Sequence, residues 1–356
     1  MAQFHTIELA DVQKETTDCA VLTFQIPDSL KDAFAFRQGQ HLTLRTEING
    51  EDVRRSYSLC SGPTEGLWQV AVKQIPGGVF STYVNEQLKA GDHLELMEPS
   101  GHFGVEVSDK PKNYAAFVAG SGITPVLSMI KAHLEAEPES SFSLFYLNRT
   151  AKSIIFKEEI EQLRNRYFGR LHIYYFLTRE KRDIALFNGR FDAEKLQQIF
   201  KGLLAVDRLD EVFLCGPEEM IFTVKDNLME AGLDQGQIHY ELFVSGLTEA
   251  DKLRMAQLEE QRIDGVDVTI VDGGKEFHFV MTEEHDSILD GALEAGADLP
   301  FACKGGVCST CKCKVTDGQV AMKINYALEA YEVEQQFVLS CQAIPTSDKV
   351  RVDFDV

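Results

Sequence analysis

Four of the chain's eight cysteines fall in the eleven residues from Cys303 to Cys313, within LPFACKGGVCSTCKC. Cys303, Cys308 and Cys311 follow the spacing C-x4-C-x2-C, and Cys341 comes later, in VLSCQA. Two irons bridged by two sulfides need four thiolates, two per iron. A tight loop can supply three of them, and the fourth must come from a distant strand. The spacing is that of a [2Fe–2S] cluster. Gly305, Gly306 and Ser309 let the backbone curl and turn N–H groups toward sulfur. A zinc site would pair Cys-x2-Cys with a second Cys-x2-Cys or a His pair, and none follows. Cys313, two positions beyond Cys311, faces the other way on an extended chain and takes a structural role.

Such a loop needs a scaffold, and 356 residues provide for two or three domains. The N-terminal stretch MAQFHTIELADVQKE lacks the apolar core of a secretion signal, and no run of eighteen apolar residues occurs. With thiols kept for metal, the expected compartment is the cytoplasm. The net charge is −21, and residues 263–356 hold 17 acidic against 7 basic side chains. That balance argues against nucleic acid as a partner and for docking on a basic protein surface.

Residues 4–106 read as short strands, FHTIELADVQ, CAVLTFQIP, HLTLRTEI, RRSYSLCS and LWQVAVKQI, separated by Gly, Pro and Asn-Gly turns. They predict an antiparallel β-barrel, with one helix over 80–88. Residues 111–245 alternate apolar strands with helical patterns, which predicts a parallel α/β domain. Residues 246–262 are polar and read as a linker, helical in part. From Ile263 strands return, with a hairpin turning at Asp272-Gly273-Gly274 and a helix over SILDGALEAG. The expected domains are 1–108, 109–245 and 263–356, joined by the linker.

Four motifs carry chemistry. RSYS, Arg55 to Ser58, offers an arginine fork for a pyrophosphate and a tyrosine to lie on a ring. GGVFS, Gly77 to Ser81, opens a helix with glycines and a hydroxyl, an anion site in type. GSGITP, Gly120 to Pro125, joins a strand to a helix, although Pro125 stands where the G-x-G-x-x-G fingerprint has its last glycine. CGPEEM begins at Cys215, on the carboxyl edge of the parallel sheet, where open α/β folds bind ligands. Each alone has a structural alternative: an edge arginine, a core tyrosine, a buried strand-end cysteine.

In this order the four motifs resemble the ferredoxin–NADP reductase superfamily, and the cysteine loop resembles a C-terminal plant-type ferredoxin domain of β-grasp fold. Together the two cover the chain. The text ADLPFACKGGVCSTCKCKV, with GHFG at 101–104 and the closing VDFDV, is similar to one group, the reductase subunits of phenylacetyl-CoA epoxidases. The resemblance implies FAD in the barrel, with Arg55, Gly78 and Ser81 on its diphosphate, Tyr57 on the ring or ribityl chain, and Ser58 near flavin N5. It implies a nicotinamide dinucleotide along Gly120, Gly122 and Thr124, with Cys215, Gly216 and Pro217 near the nicotinamide and Lys73 among the cofactor contacts. Ser58, Cys215 and Glu241 of YELF would form the reacting centre. Cys303, Cys308, Cys311 and Cys341 would ligate the cluster. Lys304 and Val307 depart from the arginine and serine common in plant ferredoxins, which is expected to alter hydrogen bonding to sulfur.

The nucleotide's identity turns on its 2′ position. The second and third strands of the α/β domain end in Asn148-Arg149-Thr150 and Thr178-Arg179-Glu180. Arg149 and Arg179 suit a 2′-phosphate, and NADPH is the expected donor. The implied path runs from NADPH to FAD to [2Fe–2S] to a multicomponent oxygenase, the phenylacetyl-CoA epoxidase core first among them. The alternatives are a reductase for another oxygenase or a hybrid-cluster protein, and a flavin/iron–sulfur redox sensor without turnover. No membrane partner is implied.

Overall fold

The computed structural model describes residues 4–243, 249–260, 262–328 and 330–356. Two compact units divide the chain, His5–Phe243 and the C-terminal remainder.

The first unit opens with an antiparallel sheet of β1 (His5–Thr16), β2 (Cys19–Gln25), β3 (His41–Ile48), β4 (Glu51–Ser58), β5 (Trp68–Lys73) and β6 (His93–Leu96), in the order β4-β3-β6-β1-β2-β5. Alternating residues such as Leu9, Leu22, Leu42, Leu44 and Val70 are fully buried and fill its inside. Asn49 and Gly50, both with positive φ, close the β3–β4 hairpin as a two-residue turn. Two expectations change. The short strand β6, which no apolar run announces, fits between β1 and β3. And the sheet is barrel-like rather than a closed barrel. Its end strands β4 and β5 meet only around the isolated Leu59–Val70 bridge, with the Cys60 N–H donating to the Gln69 carbonyl at 2.9 Å. Helix α1 (Val79–Glu86) covers the sheet through Phe80 and Val84.

The rest of this unit is a parallel sheet of β7 (Asn113–Ala119), β8 (Ser141–Asn148), β9 (Leu171–Leu177), β10 (Glu211–Gly216) and β11 (Ile238–Leu242), ordered β11-β10-β7-β8-β9. Between the strands run α2 (Ile123–Ala136), α3 (Lys157–Arg166), α4 (Ala193–Gly202) and α5 (Glu218–Glu230). Tyr114 to Val118 of β7 are all buried, as a strand covered on both faces requires. The chain leaves β7 toward β8 on one side and returns with β10 on the other. The gap between the carboxyl ends of β7 and β10 is the switch point where such sheets bind ligands.

In the C-terminal unit α6 (Glu249–Glu259) lies within the expected linker, of which residues 246–248 and 261 fall outside the described residues. The helix is docked rather than free. Leu258 packs on the core of the unit, and the Tyr326 hydroxyl donates to Asp251 at 2.7 Å. Strands β12 (Val266–Asp272) and β13 (Lys275–Met281) form the expected hairpin on Gly273-Gly274, both with positive φ. Helix α7 (Ile288–Glu294) starts at Ser287, whose hydroxyl accepts the Asp290 N–H. Then come β14 (Lys312–Asp317), β15 (Val320–Met322), α8 (Ala330–Glu334), β16 (Phe337–Leu339), β17 (Ala343–Pro345) and β18 (Lys349–Asp353). The main sheet runs β13-β12-β18-β14-β16, with β12 and β18 parallel, and β15 pairs with β17 apart from it.

Candidate active site

The switch point is built by close backbone approach. A Cβ on Gly122 would stand 2.2 Å from the Cys215 carbonyl oxygen, and one on Gly216 would meet the Ala119 Cβ at 3.0 Å. Only glycines let the end of β7, with the first turn of α2, close on the end of β10. Gly120 has a φ of +55, and its carbonyl accepts the Tyr146 hydroxyl at 2.9 Å. Thr124, buried, donates its hydroxyl to the Ser121 carbonyl at 3.0 Å. With those carbonyls engaged, the N-terminal end of α2 is the donor end for an anion. Pro217 precedes α5, and its carbonyl accepts the Met220 and Ile221 N–H groups. Tyr146 escaped the sequence reading because it looks like any other strand-core aromatic.

The antiparallel sheet reaches the same place with Ser58, expected at the flavin. Ser58, buried at the end of β4, donates to Glu241 Oε2 at 3.4 Å. Glu241 on β11 is the register partner of Cys215 on β10. The expected reacting centre, Ser58, Cys215 and Glu241, is thus one cluster. Burial first, then the Glu241 carboxylate, pushes the Cys215 thiol well up, so it stays protonated. Lys73 on β5 lies at the mouth, its Nζ 3.7 Å from Asp18 and 3.8 Å from the position a Cβ on Gly120 would take.

The residues expected at the FAD diphosphate stand further along. Arg55 is exposed on β4, with its Nη1 on the Arg54 carbonyl at 2.7 Å. Tyr57 packs on Phe80 with ring centres 5.8 Å apart, and burial raises its phenol pKa. The Ser81 hydroxyl accepts the Ile75 N–H and donates to the Gly78 carbonyl, each at 3.2 Å, which fixes the Gly77-Gly78 turn ahead of α1. A groove of about 410 Å³ lined by Gly77, Gly78, Val79 and Thr82 opens beside it.

At the carboxyl ends of β8 and β9 the Arg179 N–H donates to the Arg149 carbonyl at 2.8 Å, so the two exposed arginines lie side by side. Glu180, to which the spacing of Thr178-Arg179-Glu180 gives no role, accepts the Ala151 N–H at 2.8 Å. A carboxylate therefore stands beside the basic pair.

The four cysteines expected to ligate the cluster gather in the C-terminal unit as two thiol pairs, Cys303 with Cys308 and Cys311 with Cys341. Among the described residues no group of three or more His, Cys, Asp or Glu side chains could hold a metal ion by itself. Two pairs are what two irons need. Backbone N–H groups turn to the sulfurs, Gly305 and Val307 to Cys303 and Gly306 to Cys341, with Gly305 N 3.3 Å from Cys303 Sγ. The Cys308 contact, together with those N–H groups, lowers the Cys303 pKa to about 6. The loop takes left-handed turns at Lys304, Gly306 and Ser309. Thiols in pairs under inward N–H donors fit a [2Fe–2S] cluster. Cys313, on β14, is buried opposite Val338 and belongs to neither pair, although Cys341 lies near enough to help raise its pKa.

Three domain families match the chain. An oxidoreductase FAD-binding domain covers residues 6–104, an oxidoreductase NAD-binding domain 117–226, and a 2Fe-2S iron-sulfur cluster binding domain 270–346. One component of the 1,2-phenylacetyl-CoA epoxidase of Escherichia coli (strain K12) is 43% identical over 356 residues, 100% of this chain and 99% of that protein. The ferredoxin reductase component of the 3-ketosteroid-9-alpha-monooxygenase of Rhodococcus rhodochrous is 33% identical over 98% of this chain and 96% of its own. Phthalate dioxygenase reductase, a modular structure for electron transfer from pyridine nucleotides to [2Fe-2S], shares the fold. It superposes with a TM-score of 0.61 over 99% of this chain and 98% of that one, at 24% identity.

Proposed function

The chain belongs to the family of oxygenase reductases that join FAD-binding, NAD-binding and 2Fe-2S domains in one polypeptide, and on that premise we propose that it feeds a phenylacetyl-CoA epoxidase. It is an electron-transfer oxidoreductase that takes a pyridine nucleotide, FAD and a [2Fe–2S] cluster and serves an oxygenase. The observation that carries the finer reading is the 43% identity along the whole chain to the epoxidase component of E. coli. By this reading its acceptor is the oxygenase core of that system, its setting is phenylacetate degradation, and its compartment is the cytoplasm. Among the described residues no helix is long and apolar enough to cross a membrane.

Bound, the flavin and cluster supply the conversion of a hydride into single electrons. The chain's residues do the placing. Arg55, Gly78 and Ser81 hold the FAD diphosphate, Tyr57 lies along the ring or ribityl chain, and Ser58 hydrogen-bonds near N5. Gly120, Gly122 and Thr124 receive the dinucleotide phosphates, with Lys73 at the mouth. Cys215, Gly216 and Pro217 back the nicotinamide, and Glu241 holds Ser58. Cys303, Cys308, Cys311 and Cys341 ligate the two irons. The boundaries follow as 1–108, 109–245 and 263–356, with 246–262 between.

NADPH is the proposed donor, supported by Arg149 and Arg179 lying side by side in an otherwise acidic chain. Arg149→Ala and Arg179→Ala are each expected to raise the NADPH KM about tenfold, a charged contact's 1.4 kcal/mol, and to leave that for NADH unchanged. An unchanged NADPH KM in steady-state kinetics removes the assignment. The acceptor is tested by mixing the protein with the phenylacetyl-CoA epoxidase core and following NADPH-dependent epoxidation. Silence there, with transfer to a ketosteroid or other oxygenase, transfers the reading to that system.

A further inference from the structure

The residue after the proposed fourth ligand carries an unassigned polar contact. Gln342 is 6% exposed, yet its amide is fully directed. Nε2 donates to the Lys304 carbonyl at 2.8 Å and faces Cys341 Sγ at 3.7 Å. One NH2 group therefore spans the cysteine loop and the turn between β16 and β17 that carries Cys341.

Everything around that amide is fixed. The Gln342 N–H donates to the Leu339 carbonyl at 2.8 Å, and its own carbonyl accepts the Lys323 N–H at 2.9 Å. Lys304 has a φ of +50, and its Nζ reaches Asp290 of α7 at 2.7 Å. A Cβ on Gly306 would stand 3.2 Å from Gln342 Cγ, so the loop is closed down on the side chain. The donor is held in place rather than free to turn to solvent.

We propose that Gln342 is a positioning residue for the electron exit, donating an N–H to the sulfur of Cys341 and so making cluster reduction more favourable. The inference rests on Cys341 ligating the cluster. The equilibrium concerned is a one-electron reduction, the electron arriving from the nicotinamide through the flavin, with no bond made or broken at Gln342. A reduced cluster carries more negative charge on its sulfurs, and a fixed N–H stabilises that charge.

The test uses the full-length holoprotein and Gln342→Leu, which keeps the volume and removes the donor. Midpoint potentials are read by EPR during reductive titration with dithionite. The expected result is a retained [2Fe–2S] signal with reduction about tenfold less favourable, a downward shift of about 59 mV for one electron. A retained signal with an unmoved or raised midpoint overturns the proposal. If the leucine variant holds no cluster, the decision passes to wild-type protein with glutamine side chains labelled with ¹⁵N. Pulsed EPR of its reduced state is expected to show a ¹⁵N coupling, and its absence also overturns the proposal. A wild-type protein without any [2Fe–2S] signal would instead defeat the ligand assignment itself.

Discussion

Gly122 shows how a residue can be legible for one reason and needed for another. The sequence marks it as part of a phosphate cradle. The structure gives it a second duty, the 2.2 Å approach of any added Cβ to the Cys215 carbonyl. Gly122→Ala must spread β7 from β10 just where the nicotinamide is proposed to lie. A displacement of about 1 Å there is expected to slow flavin reduction about 100-fold in stopped-flow work, with dithionite reduction of the cluster unchanged. His41 makes a second residue-scale case. It is buried with its Nε2 3.2 Å from Ser100 Oγ, and burial, with His102 nearby, lowers its pKa to about 4. The unfolded chain binds that proton near pH 6.5, so between pH 6.5 and 4 the unfolded state holds more protons than the folded one. Stability is then full above pH 6.5 and declines as the pH falls toward 4, by about 3 kcal/mol in all. His41→Asn should flatten that decline in urea titrations between pH 7 and 4.5; an equally steep decline in the variant would refute the assignment. Nothing in the sequence singled out His41, because a histidine at a strand start carries no mark of its burial.

Among the elements, α2 does more than present an anion site. Ser128, Lys131 and Glu135, spaced three and four residues apart, lie on one face, against the loop that follows β4. Ser128 Oγ donates to the Ser61 carbonyl at 2.7 Å, Lys131 Nζ pairs with Glu65 at 3.0 Å, and Glu135 accepts the Thr64 hydroxyl at 2.6 Å. Lys131 also meets Glu159 of α3 at 2.6 Å. Burial lowers the lysine's pKa, but Glu159 and Glu65 outweigh it and hold the pKa above the ordinary value. The strap ties the helix of the proposed nucleotide site to the loop that follows the strand carrying Ser58. Lys131→Met should cost about 2 kcal/mol in denaturant titration, less than the 3–5 of a fully buried pair, because both carboxylates are about one-third exposed. Lys131→Arg should recover part of it; a methionine variant as stable as wild type would show the trio to be idle. Strands β7, β8 and β10, inside the sheet, were readable because burial on both faces makes them largely continuous apolar runs. The strands β6, β15, β16 and β17 span three or four residues each and leave no period to detect. Their pairing is set by partners distant in sequence.

For the whole molecule the governing quantity is charge. Residues 263–356, a quarter of the chain, carry nearly half of the net −21. Electrostatic steering toward a basic oxygenase surface accelerates association tenfold or more at low salt, and the screening length is ~8 Å at physiological ionic strength. Raising salt from 50 to 500 mM is therefore expected to slow second-order transfer to the oxygenase about tenfold, while leaving flavin reduction at saturating nucleotide unchanged. A salt-independent rate would assign the acidity to solubility alone. Charge, domain order and cluster spacing were all accessible in the sequence because they are additive or local. Composition and spacing alone did not bring Ser58 to Glu241, 183 positions apart; only the family resemblance put both at the reacting centre, and their direct hydrogen bond depends on how two sheets pack.

The state of the eight cysteines has a practical consequence for anyone preparing this protein. Cys19, Cys60, Cys215 and Cys313 are buried, and burial pushes every one of these thiols up, Cys19 to about 12. Thiols so placed react slowly with alkylating reagents, because the thiolate is the nucleophile. The other four are the proposed ligands. A brief native iodoacetamide count by mass spectrometry then becomes a gauge of loading. It should read close to zero adducts on intact protein and rise once chelator has stripped the iron, first at Cys303, which is part-exposed and has a lowered pKa, with the buried, raised Cys308 and Cys311 lagging.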